Sequence, residues 1–329
     1  MNSKVSVTEL FSREEIRELT TASDLHGAWS VASTWAVIGM TFGTVAYSWQ
    51  YLPWWGKLLM CAVALAILAG RQLALAILMH DAAHHSLFKS KWLNTYLTDW
   101  LCARPIWNDV GHYRPYHLKH HARTSQADDP DLGLVKNFPI TRSSLYRKFL
   151  RDLTGQSGIK FLFGRVLMDL ELLEWSVSND PKPIPKDERS HLDLAKNLVK
   201  NSAGMLLTNA VLFSALKAAG HPKLYLLWPL AYITPFPLFL RIRAMAEHAG
   251  LEKSTSALTN TRTTRAGWIA RAFVAPIHVN YHIEHHLMAS VPHQHLAKMH
   301  NMLRERGYIE VPPSYMDVIR FLASKAKEK

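Results

Sequence analysis

The chain has 329 residues, 48% of them apolar, and a formal net charge of +12. That length is long for one domain and short for two substantial ones, and a mean hydropathy of -0.06 suits soluble and membrane proteins equally, so the distribution of residues decides the class. Only two cysteines are present, Cys61 and Cys102, both among apolar neighbours, which excludes a disulfide framework or a thiolate metal site and fits a reducing compartment.

The N-terminus carries Glu9, Glu14, Glu15 and Glu18 and no apolar run before Trp29, which is not a secretory signal pattern. Ser12 followed by Glu15 fits a capping box opening a short helix, with Ile16 and Leu19 on one side. Residues 1–27 therefore read as an amphipathic segment lying at the membrane surface or against the main domain, which runs over 28–329.

A bilayer core about 30 Å thick needs about 20 mostly apolar residues in a helix. Residues 29–49 satisfy this without a charge, and 58–79 with Arg71 alone. Pro53 and the Trp54–Trp55 pair between them suit an interfacial turn. Further candidates are 203–219 and 224–240, joined by Gly220, His221 and Pro222. Pro229, Pro235 and Pro237 should distort the last of these, and Arg71 needs a partner, a snorkelled position or a role.

The expected fold is thus an all-α integral-membrane, multi-pass protein of two transmembrane hairpins, four spans in all, under a helical cap. The polar stretches 80–200 and 241–329 lie on one side, since each hairpin crosses and returns, and they hold most of the Lys and Arg. That side is expected to be cytoplasmic. Basic residues flanking apolar blocks exclude a nucleic-acid binder, which would cluster them on one face with aromatics between. They can attract anionic lipid headgroups or an acidic electron donor.

Eighteen histidines are present, and nine fall in three boxes: His80-Asp-Ala-Ala-His84-His85, His117-Leu-Lys-His120-His121 and His282-Ile-Glu-His285-His286. At about 100° per residue, positions i, i+3 and i+4 of H-x-x-H-H share one face, so three imidazoles converge on a point. Glu284 lies near the opposite side and is a poor ligand. In the first box His80 and His84 share a face; either His84 or His85 is the second ligand, or the two serve different metals. Asp81 falls between them and can orient a ligand. Nine imidazoles exceed what one ion of about four to six ligands can use, which implies two metals; imidazole alone leaves Zn, Cu, Fe and Ni open. The H-E-x-x-H of a zinc metalloprotease is absent. A metal transporter would carry its ligands within the spans rather than at their ends.

From about Leu58 to His300 the chain resembles the membrane fatty-acid desaturase superfamily: the boxes and hairpins, Ala246-Glu-His248, Asn260-Thr-Arg-Thr-Thr264, Asn280-Tyr-His282, and His121 followed by Asp129-Pro-Asp131. The resemblance implies two Fe ions held by the three boxes plus His248, with O2 as co-substrate. Asp129, Asp131 and Asn280 belong to the same pattern, and His278, one turn before His282, is a further candidate to assist. Ala244 stands where some relatives place a water-bridged asparagine.

The implied reaction is desaturation of a long acyl chain, with hydroxylation or ketolation of a lipid, alkane or carotenoid as the alternative within the same class. Leu93–Trp107 and Phe161–Trp175 are candidate walls of a substrate tunnel or membrane-surface helices. No H-P-G-G, Cys-rich or G-x-G-x-x-G signature is present, so a separate ferredoxin or cytochrome b5-type donor is expected.

Overall fold

The computed structural model describes residues 6–178, 180–185 and 189–324. Among them every regular element is helical, with isolated β-bridges and no strand. The capping box forms as expected: Ser12 N donates to Glu15 Oε2 at 2.8 Å and Glu15 N to Ser12 Oγ at 3.2 Å. It opens α2 (Arg13–Leu19), which follows the short α1 (Val7–Leu10). Leu10, Phe11 and Leu19 pack on Leu296, Met299 and Leu303 of α15 (His293–Glu305). Arg306 bonds the Leu10 carbonyl and pairs with Glu15, while Lys298 pairs with Glu18. Of the two readings of the N-terminal segment, its described residues take the one against the main domain.

A helix occupies each of the four apolar stretches. α3 (Asp24–Ser48) and α4 (Trp54–Ala83) form one hairpin. α9 (His191–Ala218) returns through a 3-10 turn at Pro222–Leu226 into α10 (Leu227–Ile233) and α11 (Pro235–His248). Two stretches are long and apolar enough to cross a membrane, Trp54–Ala83 with mean hydropathy 2.1 and Pro222–His248 with 1.2; α3 and α9 fall short of that measure. The last stretch breaks at Thr234 (φ -110, ψ -82), because Pro235 offers no N–H and bars its predecessor from helical geometry.

α4 is the axis of the molecule. From Leu68 to Ala83 it is buried almost all round, the pattern of a helix enclosed by others. Gly70 lets α13 (Trp268–Phe273) approach so closely that a Cβ would stand 2.5 Å from the Ala272 carbonyl oxygen. That oxygen accepts from Arg71 Nη2 at 2.7 Å, which supplies the partner the arginine required. At about 1.5 Å per residue the 30 residues of α4 span about 45 Å, more than a bilayer core about 30 Å thick.

The remaining helices gather around that end: α5 (Val110–Arg123), α6 (Leu132–Val135), α7 (Arg142–Leu153), α8 (Gln156–Asp169), α12 (Ala257–Asn260), α14 (His282–Leu287) and α16 (Tyr315–Leu322). α8 crosses the α10–α11 break with its backbone against Ile233: a Cβ on Gly158 would lie 2.2 Å from the Ile233 carbonyl oxygen. Gly158→Val is therefore expected to displace α8 and cost about 1–3 kcal/mol. Gly164→Ala, in the same helix with nothing within 4 Å, should be neutral or stabilising. Thermal melts in detergent check the pair; equal melting temperatures would overturn the packing argument.

Candidate metal centre

Four helix ends bring the site together. α4 ends at Ala83, so His80 lies in its last turn and His84 caps it. The chain then turns sharply: His85 adopts φ 56, and Ser86 N donates to the Asp81 carbonyl at 3.1 Å. His84 faces inward while His85 is exposed and joins neither histidine cluster. α5 presents His117, His120 and His121; α14 presents His282, His285 and His286; the last residue of α11 is His248.

These side chains form two adjoining groups. In one, ring nitrogens of His80, His84, His117, His121 and His285 all lie within 4.8 Å of one another; in the other, those of His120, His248 and His286 do so, and His248 also groups with His282 and Glu247. Nε2 atoms face each other at 3.1 Å (His117–His121), 3.0 Å (His121–His285) and 2.8 Å (His248–His282). His121 and His286, one from each group, stack at 4.1 Å. Buried Nε2 atoms of His80, His84 and His286 have no hydrogen-bond partner. Inward-facing, unpartnered imidazole nitrogens at such spacing are a donor set suited to metal ions, and two groups suit two ions.

Electrostatics favour the ligating, neutral form. Burial holds His117, His121, His282, His285 and His286 well below the usual histidine pKa, with neighbouring histidines adding to the effect. For His84 the same causes, burial first, bring it to about 3. His120 is the exception: burial lowers it, but Asp131 and Asp129 outweigh that and raise it.

Carboxylates and other acceptors hold the rings from behind. His80 Nδ1 bonds Asp81 Oδ1 at 2.9 Å, and Asp81 Oδ2 lies 3.2 Å from His293 Nδ1, whose Nε2 meets Ser30 Oγ at 3.1 Å. His120 Nδ1 bonds Asp129 Oδ1 at 2.8 Å, while Asp131 Oδ2 stands off at 3.8 Å and its Oδ1 accepts from Tyr116 Oη at 2.5 Å. Glu247 Oε1, bonded by Arg243 Nε at 2.7 Å, lies 3.7 Å from His282 Nδ1. The hydrogen bonds to His80 and His120 fix tautomer and ring orientation, while Glu247 stands near His282 without a hydrogen bond to it.

Other candidates sit further back. Asn280 ties its own strap to Thr264, with Nδ2 donating to the Thr264 carbonyl at 3.0 Å, and His278 stacks on His293 with ring centres 6.5 Å apart; neither enters a histidine cluster. Glu284 faces away from the rings, accepting from Thr263 Oγ1 at 2.5 Å and from His300 Nδ1 at 2.6 Å, and so anchors α14 to α15. Sequence reasoning passed over Glu247, Arg243 and His293. The Arg243/Glu247 spacing of four was a readable signal; the contact of His293 with Asp81, more than two hundred positions away, left none.

A cavity of about 70 Å³ meets the rings of His117, His120, His248 and His282. Its other walls include Met79, Tyr113, Phe161, Tyr232, Phe236 and Leu240, with Arg243 and Glu247 among them. It adjoins a second hollow of about 50 Å³ reaching Ser157 and Arg241, with which it shares Leu134, Phe161, Val177, Phe236, Leu240 and Ala244. Of the two candidate tunnel walls, Phe161–Trp175 contributes Phe161, and Leu93–Trp107 contributes no lining residue to either hollow.

Relatives carry comparable names. The chain is 25% identical over 313 residues to a "Dihydrorhizobitoxine desaturase" of Bradyrhizobium elkanii, covering 93% of this chain and 84% of that one. It is 24% identical over 294 residues to an "sn-1 oleoyl-lipid 12-desaturase" of Synechocystis sp., covering 83% and 76%. Residues 52–316 match the family described as Fatty acid desaturase, and over that extent, which includes all three boxes and His248, the chain belongs to it.

Proposed function

We propose that this chain is a multi-pass membrane enzyme that desaturates an acyl chain at a histidine-ligated di-iron centre. One observation carries the reading: two adjoining imidazole groups meet the end of a largely apolar cavity. His80, His84, His117, His121 and His285 would hold one iron, and His120, His248, His282 and His286 the other. Bound there, the iron pair supplies O2 activation strong enough to remove hydrogen from an unactivated methylene, which no acid or base side chain can do.

The protein's own part is placement. Phe161, Tyr232, Phe236 and Leu240 offer apolar contact worth about 0.8 kcal/mol per buried CH2, enough to hold a hydrocarbon without polar anchors. The histidines, with Asp81, Asp129 and Glu247 behind them, hold the reacting point at the inner end of the cavity, where orientation is worth most. Overall, the substrate loses two hydrogens, and O2 with two electrons and two protons becomes two waters. A separate one-electron carrier of ferredoxin or cytochrome b5 type is the proposed source of the electrons. Four spans, with the histidines on the cytoplasmic side, is the topology that fits the helical hairpins and the placement of Lys and Arg.

The deciding experiment is lipid mass spectrometry of a host expressing the chain beside a His285→Ala control. New double bonds only with the intact chain are the expected result, and their position gives the regiochemistry. Hydroxylated or keto products would replace desaturation by the oxygen-inserting alternative. Unchanged acyl chains with a competent donor present would overturn the acyl reading.

A further inference from the structure

One face of α11 runs the length of the cavity. Phe236, Leu240, Arg243, Ala244, Glu247 and His248 all line it, spaced as successive turns of a single helical face. Over about 18 Å that face passes from aromatic and aliphatic, through a cation and an anion, to a histidine of the metal site. Charges inside the apolar stretch 222–248 are costly to hold there, and residues held at such cost mark function.

Arg243 has donors to spare. Its Nε donates to Glu247 Oε1 at 2.7 Å, and among the described residues neither Nη atom donates to a protein group, so the rest of the fork is unspent beside the cavity. Tyr113 joins it: the ring stacks on His117 with centres 5.1 Å apart, and its hydroxyl bonds no described residue. Asn108 Oδ1, also in the cavity wall, is buried without a partner. Glu247 Oε1 lies 3.7 Å from His282 Nδ1, so a single carboxylate separates the fork from a ring of the site.

The fork supplies what the apolar walls lack. Hydrocarbon contact is non-directional, so it holds a chain without fixing which carbons face the histidines. An oxygen bound at Arg243 would fix that register, because guanidinium hydrogen bonds are directional and strong. Charge decides which oxygen. Arg243 and Glu247 already offset each other, and a carboxylate added there would leave a buried negative charge uncompensated, whereas a carbonyl adds none.

We propose that Arg243, with Tyr113, binds a neutral carbonyl oxygen of the substrate, so that the carbons presented to the histidines lie only a few bonds from an ester, thioester or amide group and are counted from it. The counting of carbons rests on the desaturase reading above; the carbonyl site does not.

The test separates the two. Iron-loaded, full-length protein in nanodiscs, without reductant so that nothing turns over, is given radiolabelled decanamide, decanoate or decane, with empty discs subtracted. Decanamide is expected to bind about 10- to 100-fold tighter than decane, and Arg243→Lys, which keeps the charge beside Glu247 but loses the fork, to remove most of that difference. Tyr113→Phe, which keeps the ring, should lower it about threefold and gives a second reading should Arg243→Lys not fold. Equal binding of decanamide and decane would overturn the site and leave the fork to ordered water; tighter binding of decanoate would overturn the neutral carbonyl. With reductant, a one-electron carrier and O2, amides of 8, 10 and 12 carbons should gain a double bond at one distance from the carbonyl, scattered over neighbouring positions in Arg243→Lys. A double bond at a fixed distance from the methyl end would overturn the register. If no double bond forms while iron is bound and decanamide binding depends on Arg243, the desaturase reading fails and the carbonyl site stands.

Discussion

Replacing His84 by alanine is expected to drop bound iron from about two per chain to about one and to reduce turnover at least about 100-fold, whereas His85→Asn leaves both within about twofold. The first value exceeds the 10- to 100-fold that loss of a contact merely supporting a ligand costs. The second follows from the small effect of exposed substitutions, about 0.5 kcal/mol or less. The two residues are neighbours with the same chemistry, so only placement separates them. His84 Nε2 is buried beside four other imidazoles without a hydrogen-bond partner, and His85 points to solvent after the helix has ended. Asparagine rather than alanine is chosen at 85 because φ is 56 there, a left-handed conformation that asparagine tolerates. Iron analysis of purified protein and O2 uptake check both; loss of iron in His85→Asn would sink the assignment.

That pair also marks where sequence reasoning ran out. The H-x-x-H-H boxes were legible because helical periodicity is local: three imidazoles within four residues share a face whatever the rest of the fold does. The helix at each apolar stretch was legible for the same reason, and the break before Pro235 followed from covalent geometry. The end of α4 was not. No glycine or proline stands between Ala82 and Ser86; the helix stops where Ser86 folds back on the Asp81 carbonyl through both its N–H and its hydroxyl. That turn decides which histidine faces inward.

The supporting contacts show the same division. Asp81 was readable from its place between the ring directions of the first box, and Asp129 only through the family pattern that follows His121. His293 reaches Asp81, and through it His80, only because α15 folds back across α3 and α4, where Ser30 closes the chain of contacts. Asn280 carried a family pattern and His278 a helical spacing, but φ of 55 and 58 at Ile277 and His278 interrupts the helix between His278 and the box, so the one-turn spacing of His278 and His282 does not put them on a common helical face.

The second large effect is expected at Asp129. Its Oδ1 accepts from His120 Nδ1 at 2.8 Å and from Asp131 N at 2.9 Å, and its Oδ2 accepts from Ser125 N at 2.9 Å. One buried carboxylate thus orients a ring of the second histidine group and ties down the loop after α5. Asp129→Ala removes the acceptor for the ring and strands two backbone donors, each at about 1–3 kcal/mol if left unsatisfied. Iron affinity at the His120 group should fall about 10- to 100-fold, with the other group keeping its ion. Asp129→Asn keeps an oxygen for the ring but loses the charge, and should fall between this variant and the parent. Asp131→Asn should be mildest, since Asp131 Oδ2 lies 3.8 Å from His120 and its Oδ1 serves Tyr116. Graded iron loss under a chelator, in the order Asp129→Ala, Asp129→Asn, Asp131→Asn, is the expected result. Equal retention in all three would mean that His120 is held by its helix alone and that the carboxylate serves only the loop.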